Sequence, residues 1–206
     1  EMQQAPLADL VPVLAQAART VGSPQIRNAG TLGGNLGTSS PAGDALPPLL
    51  ALDATVVLAS RAGTRRVPLA GFVTGPKRNM CRPDEVIFAA EVAPARGPQE
   101  FVKVGTRNAM VISVASVALV VDTDARSVRC ALGSVGPVVL RAPEAEEWIA
   151  TRVDWDALRV ADPADRATFA AMVAAAARPI DDHRSTAAYR RRAIEVCARR
   201  ALERTL

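Results

Sequence analysis

The sequence predicts an α+β fold in two lobes, and three observations lead there. Apolar runs of strand length, at 54–59, 85–92, 100–104, 112–122 and 127–135, are separated by turn-forming residues. Segments 143–150, 163–177 and 185–206 look helical instead. Between the halves lies Pro94-Ala-Arg-Gly97-Pro98, whose prolines and glycine mark a linker. Residues 1–97 are therefore expected to form a lobe of mixed helix and antiparallel sheet. Residues 98–206 should form a second lobe of three antiparallel strands and three helices.

Each element has its own justification. Leu7, Leu10, Val11, Leu14 and Ala18 recur at helical spacing, with Asp9 in the first turns, so a helix should run over 7–20 and end near Gly22. Residues 22–44 read as a glycine-rich loop, in which Gly30, Gly33, Gly34 and Gly37 would let the backbone enter positive φ. A short helix in DALPPLLAL leads to strand 54–59, a turn at 61–64 and a return through Val67. Regular pattern lapses over 75–85. Beyond the linker, the middle strand is dense in Val and Ala, as suits burial on both faces. On the last helix Tyr189, Ala193, Val196 and Cys197 would share one face, with Arg191, Arg192 and Arg199 on the other.

Composition narrows the function. Hydrophobic residues make up 49% of the 206 and aromatics only 3%, so the core must be aliphatic. No apolar run reaches the roughly 18 residues a membrane span needs, and no charged-then-apolar leader opens the chain, so a soluble, cytoplasmic protein is expected. Cys81, Cys130 and Cys197 are scattered and odd in number, which speaks against a disulfide framework and against a zinc or iron–sulfur site. His183 is the only histidine and sits beside Asp181 and Asp182, a poor basis for a triad or a metal site. The net charge of +4 is mild and almost wholly arginine, since Lys77 and Lys103 are the only lysines.

The segment GSPQIRNAGTLGGNLGTSSPAGD at 22–44 carries the chemistry. Its G-x-x-G-G-x-x-G order does not match the G-x-G-x-x-G of a Rossmann turn, and no Gly-Lys-Ser/Thr step makes it a P-loop. Glycines so placed can still bring backbone N–H groups to a pyrophosphate, while Thr38, Ser39, Ser40 and Asp44 hold other polar parts of the same molecule. Two plainer readings stand beside it: the glycines merely turn the chain, and Asp44 caps the helix that follows.

Residues 21–59, RPDEVIFAAEV at 82–92, FVKVGTRNAMVISVASVALVV at 101–121 and DHRSTAAYRRRAIEVCARRALER at 182–204 together resemble the FAD-binding medium subunit of molybdenum hydroxylases, the xanthine dehydrogenase and carbon monoxide dehydrogenase family. The resemblance covers nearly the whole chain in order. It implies that Thr31, Leu32, Gly33, Gly34 and Asn35 form a turn contacting FAD, that Asp44 is a matching acid and that Ile87 packs on the flavin. Lys103 would lie near the cofactor from the second lobe, with Thr38 and Ser40 as further hydroxyls. It also implies partners: a small subunit with two [2Fe–2S] clusters and a large subunit with the molybdenum cofactor, in a dimer of heterotrimers, FAD passing electrons to an external acceptor. The family's other glycine-rich lobe, with its Ala-Gly-Gly-Thr-Asp-Leu turn, does not occur among these residues, so the chain is expected to be a fragment, to continue into an unresolved N-terminal segment, or to be one product of a split gene.

A reading from a different class remains. YRRRAIEVCARRALER at 189–204 could be an arginine-rich helix binding nucleic acid or an acidic partner, although Asp181, Asp182, Glu195 and Glu203 dilute its field.

Overall fold

The computed structural model describes all residues, Glu1 to Leu206. The first helical region is two pieces, α1 (Leu7–Leu10) and α2 (Pro12–Thr20), because Val11 leaves helical geometry at φ −136° just before Pro12. Pro12 occupies the first helical position, where its missing N–H costs nothing. The glycine segment, expected as a loop, is mostly helical: α3 (Pro24–Ala29) and α4 (Leu32–Thr38) are capped by the Ser23 and Thr31 hydroxyls. Gly30, Gly33, Gly34 and Gly37 do not take positive φ; Ser39 does, at 46°, closing α4. The tight turn is thus carried by a serine whose hydroxyl donates to the Leu36 carbonyl at 2.6 Å.

Next come α5 (Leu46–Ala51), buried throughout, and the hairpin β1 (Thr55–Ser60) and β2 (Gly63–Pro68). The short α6 (Leu69–Phe72), β3 (Val73–Gly75) and β4 (Arg78–Asn79) fill the stretch that showed no pattern, and β5 (Val86–Glu91) follows. The first sheet has the order β2-β1-β5, all antiparallel, with a bulge between Val57 and Leu58.

The second sheet has the order β6-β7-β8-β9, from β6 (Gln99–Val104), β7 (Ala115–Asp122), β8 (Ser127–Gly133) and β9 (Leu140–Arg141). Three strands were expected; β9 adds a two-residue fourth, too short to leave a periodic signal. Three helices follow, α7 (Pro143–Ala150), α8 (Pro163–Ala176) and α9 (Ala187–Thr205), with the small ribbon β10 (Val153–Asp154) and β11 (Arg159–Val160) between the first two. No helix is long and apolar enough to cross a membrane.

The second sheet is the wall between two cores. Strand alternation sends Val117, Leu119 and Val121 of β7 into a cluster with α7, α8 and α9, and Ala118 and Val120 into the N-terminal cluster with α2 and α5. That is why the strand is apolar at every position from Val117 to Val121. The outer edge of β6 is covered by α2: Gln16 receives the Phe101 amide at 2.6 Å and donates to the Gln99 carbonyl at 3.2 Å. Along α9 the buried face is Arg190, Ala193, Ile194, Cys197, Ala198, Ala201 and Leu202, whereas Tyr189 is exposed and Val196 half-buried. The expected stripe was rotated by about one residue, because the Arg190 guanidinium is used inside the protein rather than in solvent.

Candidate cofactor site

Lys103 and Asp44 form the most deeply buried ion pair between the two halves. Nζ of Lys103 lies 2.6 Å from Oδ2 of Asp44, each side chain being 8% exposed, and also donates to the Thr20 carbonyl at 3.1 Å. One ammonium thus ties together the end of α2, the segment after α4 and strand β6. A cation at the carbonyl end of a helix is favourably placed in itself. Burial pushes the Asp44 carboxyl up from its ordinary range, with Lys103 pulling the other way. Asp44 is not a helix cap: α5 begins after Ala45 with no capping side chain.

The second oxygen, Oδ1 of Asp44, is buried with no hydrogen-bond partner, and so is Oδ1 of Asn35. Both residues line one recess of about 250 Å³, whose other walls are Val21, Gly22 and Ile26, Ala42 and Gly43, and Met110 to Ile112. Leaving such atoms unbonded costs about 1–3 kcal/mol each, so two acceptors facing one recess call for a ligand that brings donors. Gly43 makes the arrangement possible, because a Cβ there would lie 2.9 Å from the Asn35 oxygen and 3.1 Å from the Ser40 carbonyl.

Beside the recess, α4 presents backbone. Thr31 Oγ1 accepts from the Gly34 amide at 2.9 Å, while the Leu32 and Gly33 amides precede any intrahelical acceptor. Gly33 and Gly34 keep the surface open, a Cβ at Gly33 having only the Ile87 carbonyl at 3.9 Å within reach. The predicted residues therefore divide. Asn35 comes together with Asp44; Thr31, Leu32, Gly33 and Gly34 form the start of α4 just ahead of Asn35, and Lys103 supports Asp44 from behind. Ile87 lies beneath α4, its Cδ1 3.6 Å from where a Cβ on Gly37 would stand. Thr38 donates to the Gly34 carbonyl at 2.8 Å, and Ser40 lines a different recess.

Sequence reasoning missed Gly43, Ile26 and the 110–112 stretch. Gly43 stood within the quoted motif, and its place directly before the acid Asp44 was the available signal. Met110 and Ile112 are large exposed apolar residues in an irregular segment, with nothing in their spacing to bring them to Asp44.

The donor-seeking oxygens and the open amides fit the hydroxyls and phosphates of a dinucleotide, and the 250 Å³ recess suits one part of such a molecule. Comparison with known proteins agrees. A family described as the FAD binding domain in molybdopterin dehydrogenase matches residues 1–94, and one described as the CO dehydrogenase flavoprotein C-terminal domain matches 100–205. The nicotinate dehydrogenase FAD-subunit of Eubacterium barkeri is 40% identical over 149 residues, 68% of this chain and 50% of that protein. The glyceraldehyde dehydrogenase medium chain of Sulfolobus acidocaldarius is 32% identical over 94% of this chain and 67% of its own. The chain thus spans half to two thirds of the length of these relatives. Reconstituted CO dehydrogenase from Oligotropha carboxidovorans contains a chain that superimposes with a TM-score of 0.86 at 25% identity, covering 99% of this chain and 71% of that one. Two consecutive domain matches and a relative aligned almost end to end place this chain in the family of FAD-binding medium subunits of molybdenum hydroxylases.

Proposed function

We propose that this chain holds FAD as the electron-exit subunit of a molybdenum hydroxylase complex, with residues 1–97 providing most of the recess and 98–206 the supporting lobe and the wall at Met110 to Ile112. The observation that carries the reading is the pair of buried, unpartnered oxygens on Asn35 and Asp44 facing one recess beside the open amides of α4. Asn35 and Asp44 would receive hydroxyl or N–H donors of the cofactor, and the Leu32 and Gly33 amides would donate to its oxygens. Lys103 holds Asp44 in place and offsets its charge. FAD, once bound, supplies the redox chemistry, taking electrons from iron–sulfur clusters and passing them to an external acceptor.

Those clusters and the molybdenum cofactor would belong to a small and a large partner subunit, in a dimer of heterotrimers. No group of three or more His, Cys, Asp or Glu side chains here could hold a metal. The α9 helix gives less support to a nucleic-acid surface: Arg190 is buried, and Arg192, Arg199 and Arg204 pair with Glu195, Glu203 and Glu100.

The test is the absorption spectrum and flavin content of the purified native assembly, beside those of an Asn35→Leu variant. Flavin and iron–sulfur bands are expected in the parent, with flavin alone diminished in the variant. Flavin content unchanged by the substitution would remove Asn35 from the site, and an assembly with neither band would overturn the proposal.

A further inference from the structure

A second recess, of about 620 Å³, lies between the lobes and shares only Ala42 with the first. Lys77 and Ser40 contribute from the N-terminal half, and Ser134, Arg178, Arg184 and Arg190 from the other. Four cationic side chains stand here against a single carboxylate, Asp182. That carboxylate is already committed: Arg190 reaches one of its oxygens at 2.6 Å and Arg184 the other at 2.7 Å. Arg178 gives one nitrogen of its guanidinium to the Ala175 and Ala177 carbonyls, and neither it nor Lys77 has a carboxylate partner.

Two buried groups point to what is missing. Arg190 is 2% exposed and donates to the Val114 and Ser134 carbonyls at 2.9 and 2.8 Å, yet its Nε has no acceptor. Ser134, 7% exposed, also has an unpartnered hydroxyl. Unused donors with surplus positive charge, in a recess with room for more than one small ion, want an acceptor-rich anion. Guanidinium groups match tetrahedral oxyanions in geometry as well as charge.

We infer that this recess binds a phosphate-class oxyanion bridging the two lobes, a role independent of the FAD site. The anion has two possible sources, free phosphate and the phosphate group of a small ester, and the 620 Å³ volume admits either.

Calorimetric titration of the full chain with inorganic phosphate and, separately, ribose 5-phosphate at constant ionic strength tests this, together with thermal unfolding at each ligand concentration. Saturable one-site binding and a rising unfolding temperature are expected. The double variant Lys77→Ala, Arg178→Ala changes two exposed side chains outside the FAD recess. It should unfold like the parent without ligand and bind about tenfold or more weakly. Tighter binding of the ester identifies an ester ligand, and equal binding identifies free phosphate. Lack of saturable binding with both probes, or an affinity unchanged in the double variant, would overturn the inference.

Discussion

Removing one member of the Lys103–Asp44 pair should be among the most costly single changes in this protein. The pair is short at 2.6 Å and each side chain is 8% exposed, so deleting one charge leaves the other buried without a counter-ion. Breaking such a pair costs about 3–5 kcal/mol. Each kcal/mol lowers the unfolding temperature of a chain this size by about 2–4 °C, so Asp44→Leu or Lys103→Met alone should lower it by about 6–20 °C. Replacing both removes the stranded charge, and the loss should be largely recovered, because an apolar pair of similar volume often matches a buried ion pair. Urea unfolding of the parent, both singles and the double gives the coupling energy directly. Two singles that each cost under about 1 kcal/mol, with additive effects in the double, would show that the charges are not buried together and would refute the reasoning.

Gly43→Ala should cost about 1–3 kcal/mol in urea unfolding and lower the flavin content of the assembly, because the new Cβ meets the Asn35 oxygen at 2.9 Å and backbone at 3.1 Å; a parental urea midpoint with full flavin would contradict this. Gly34→Val should leave overall stability within about 1 kcal/mol, since the residue is helical, is not at positive φ and has only Thr31 Oγ1 near, at 3.1 Å. Its flavin content should nevertheless fall, and full occupancy would mean that α4 only shapes the chain. Glu85 is held down to about 2 by hydrogen bonds from Arg65 at 2.6 and 2.8 Å. A carboxylate lowered in the folded state contributes stability that is present above its unfolded pKa and lost as pH falls through the folded value. Urea midpoints should therefore drop between about pH 4.5 and 2 less steeply for Glu85→Gln than for the parent, and superimposable profiles would dismiss the Arg65 contact.

Long elements were legible in the sequence because burial imposes a period on them. The three C-terminal helices and strands β1, β5, β6, β7 and β8 fall close to the expected ranges. Elements of two to four residues, such as β3, β4, β9 and α6, are held by tertiary pairing and leave no pattern to read. The glycine segment misled for a physical reason: a glycine is chosen both where φ must be positive and where a Cβ would block an approach, and composition cannot separate the two. Here Gly33 and Gly34 are helical with mostly open space where a Cβ would stand, and Ser39 makes the turn. Asp44 was read as a cap or a ligand contact. Its second role, as the buried counter-ion of a lysine 59 positions away, is visible only in three dimensions.

The alternation in Phe101-Val102-Lys103-Val104 joins the fold to the site. Side chains two apart share a face, so Phe101 and Lys103 point the same way, and Phe101 is packed in the N-terminal core. Val102 and Val104 pack against the helical core on the other side of the sheet. The register Phe101↔Ala118 and Lys103↔Ser116 fixes this choice, because a slip of one residue would turn the ammonium toward α9 and bring a valine to Asp44. A buried ammonium can therefore sit between Val102 and Val104 only where the opposite lobe supplies its carboxylate. The same requirement places Asp44 beside Asn35 with one oxygen still free. The hydrophobic pattern that folds the second lobe thus also sets the electrostatics of a recess built mostly from the first.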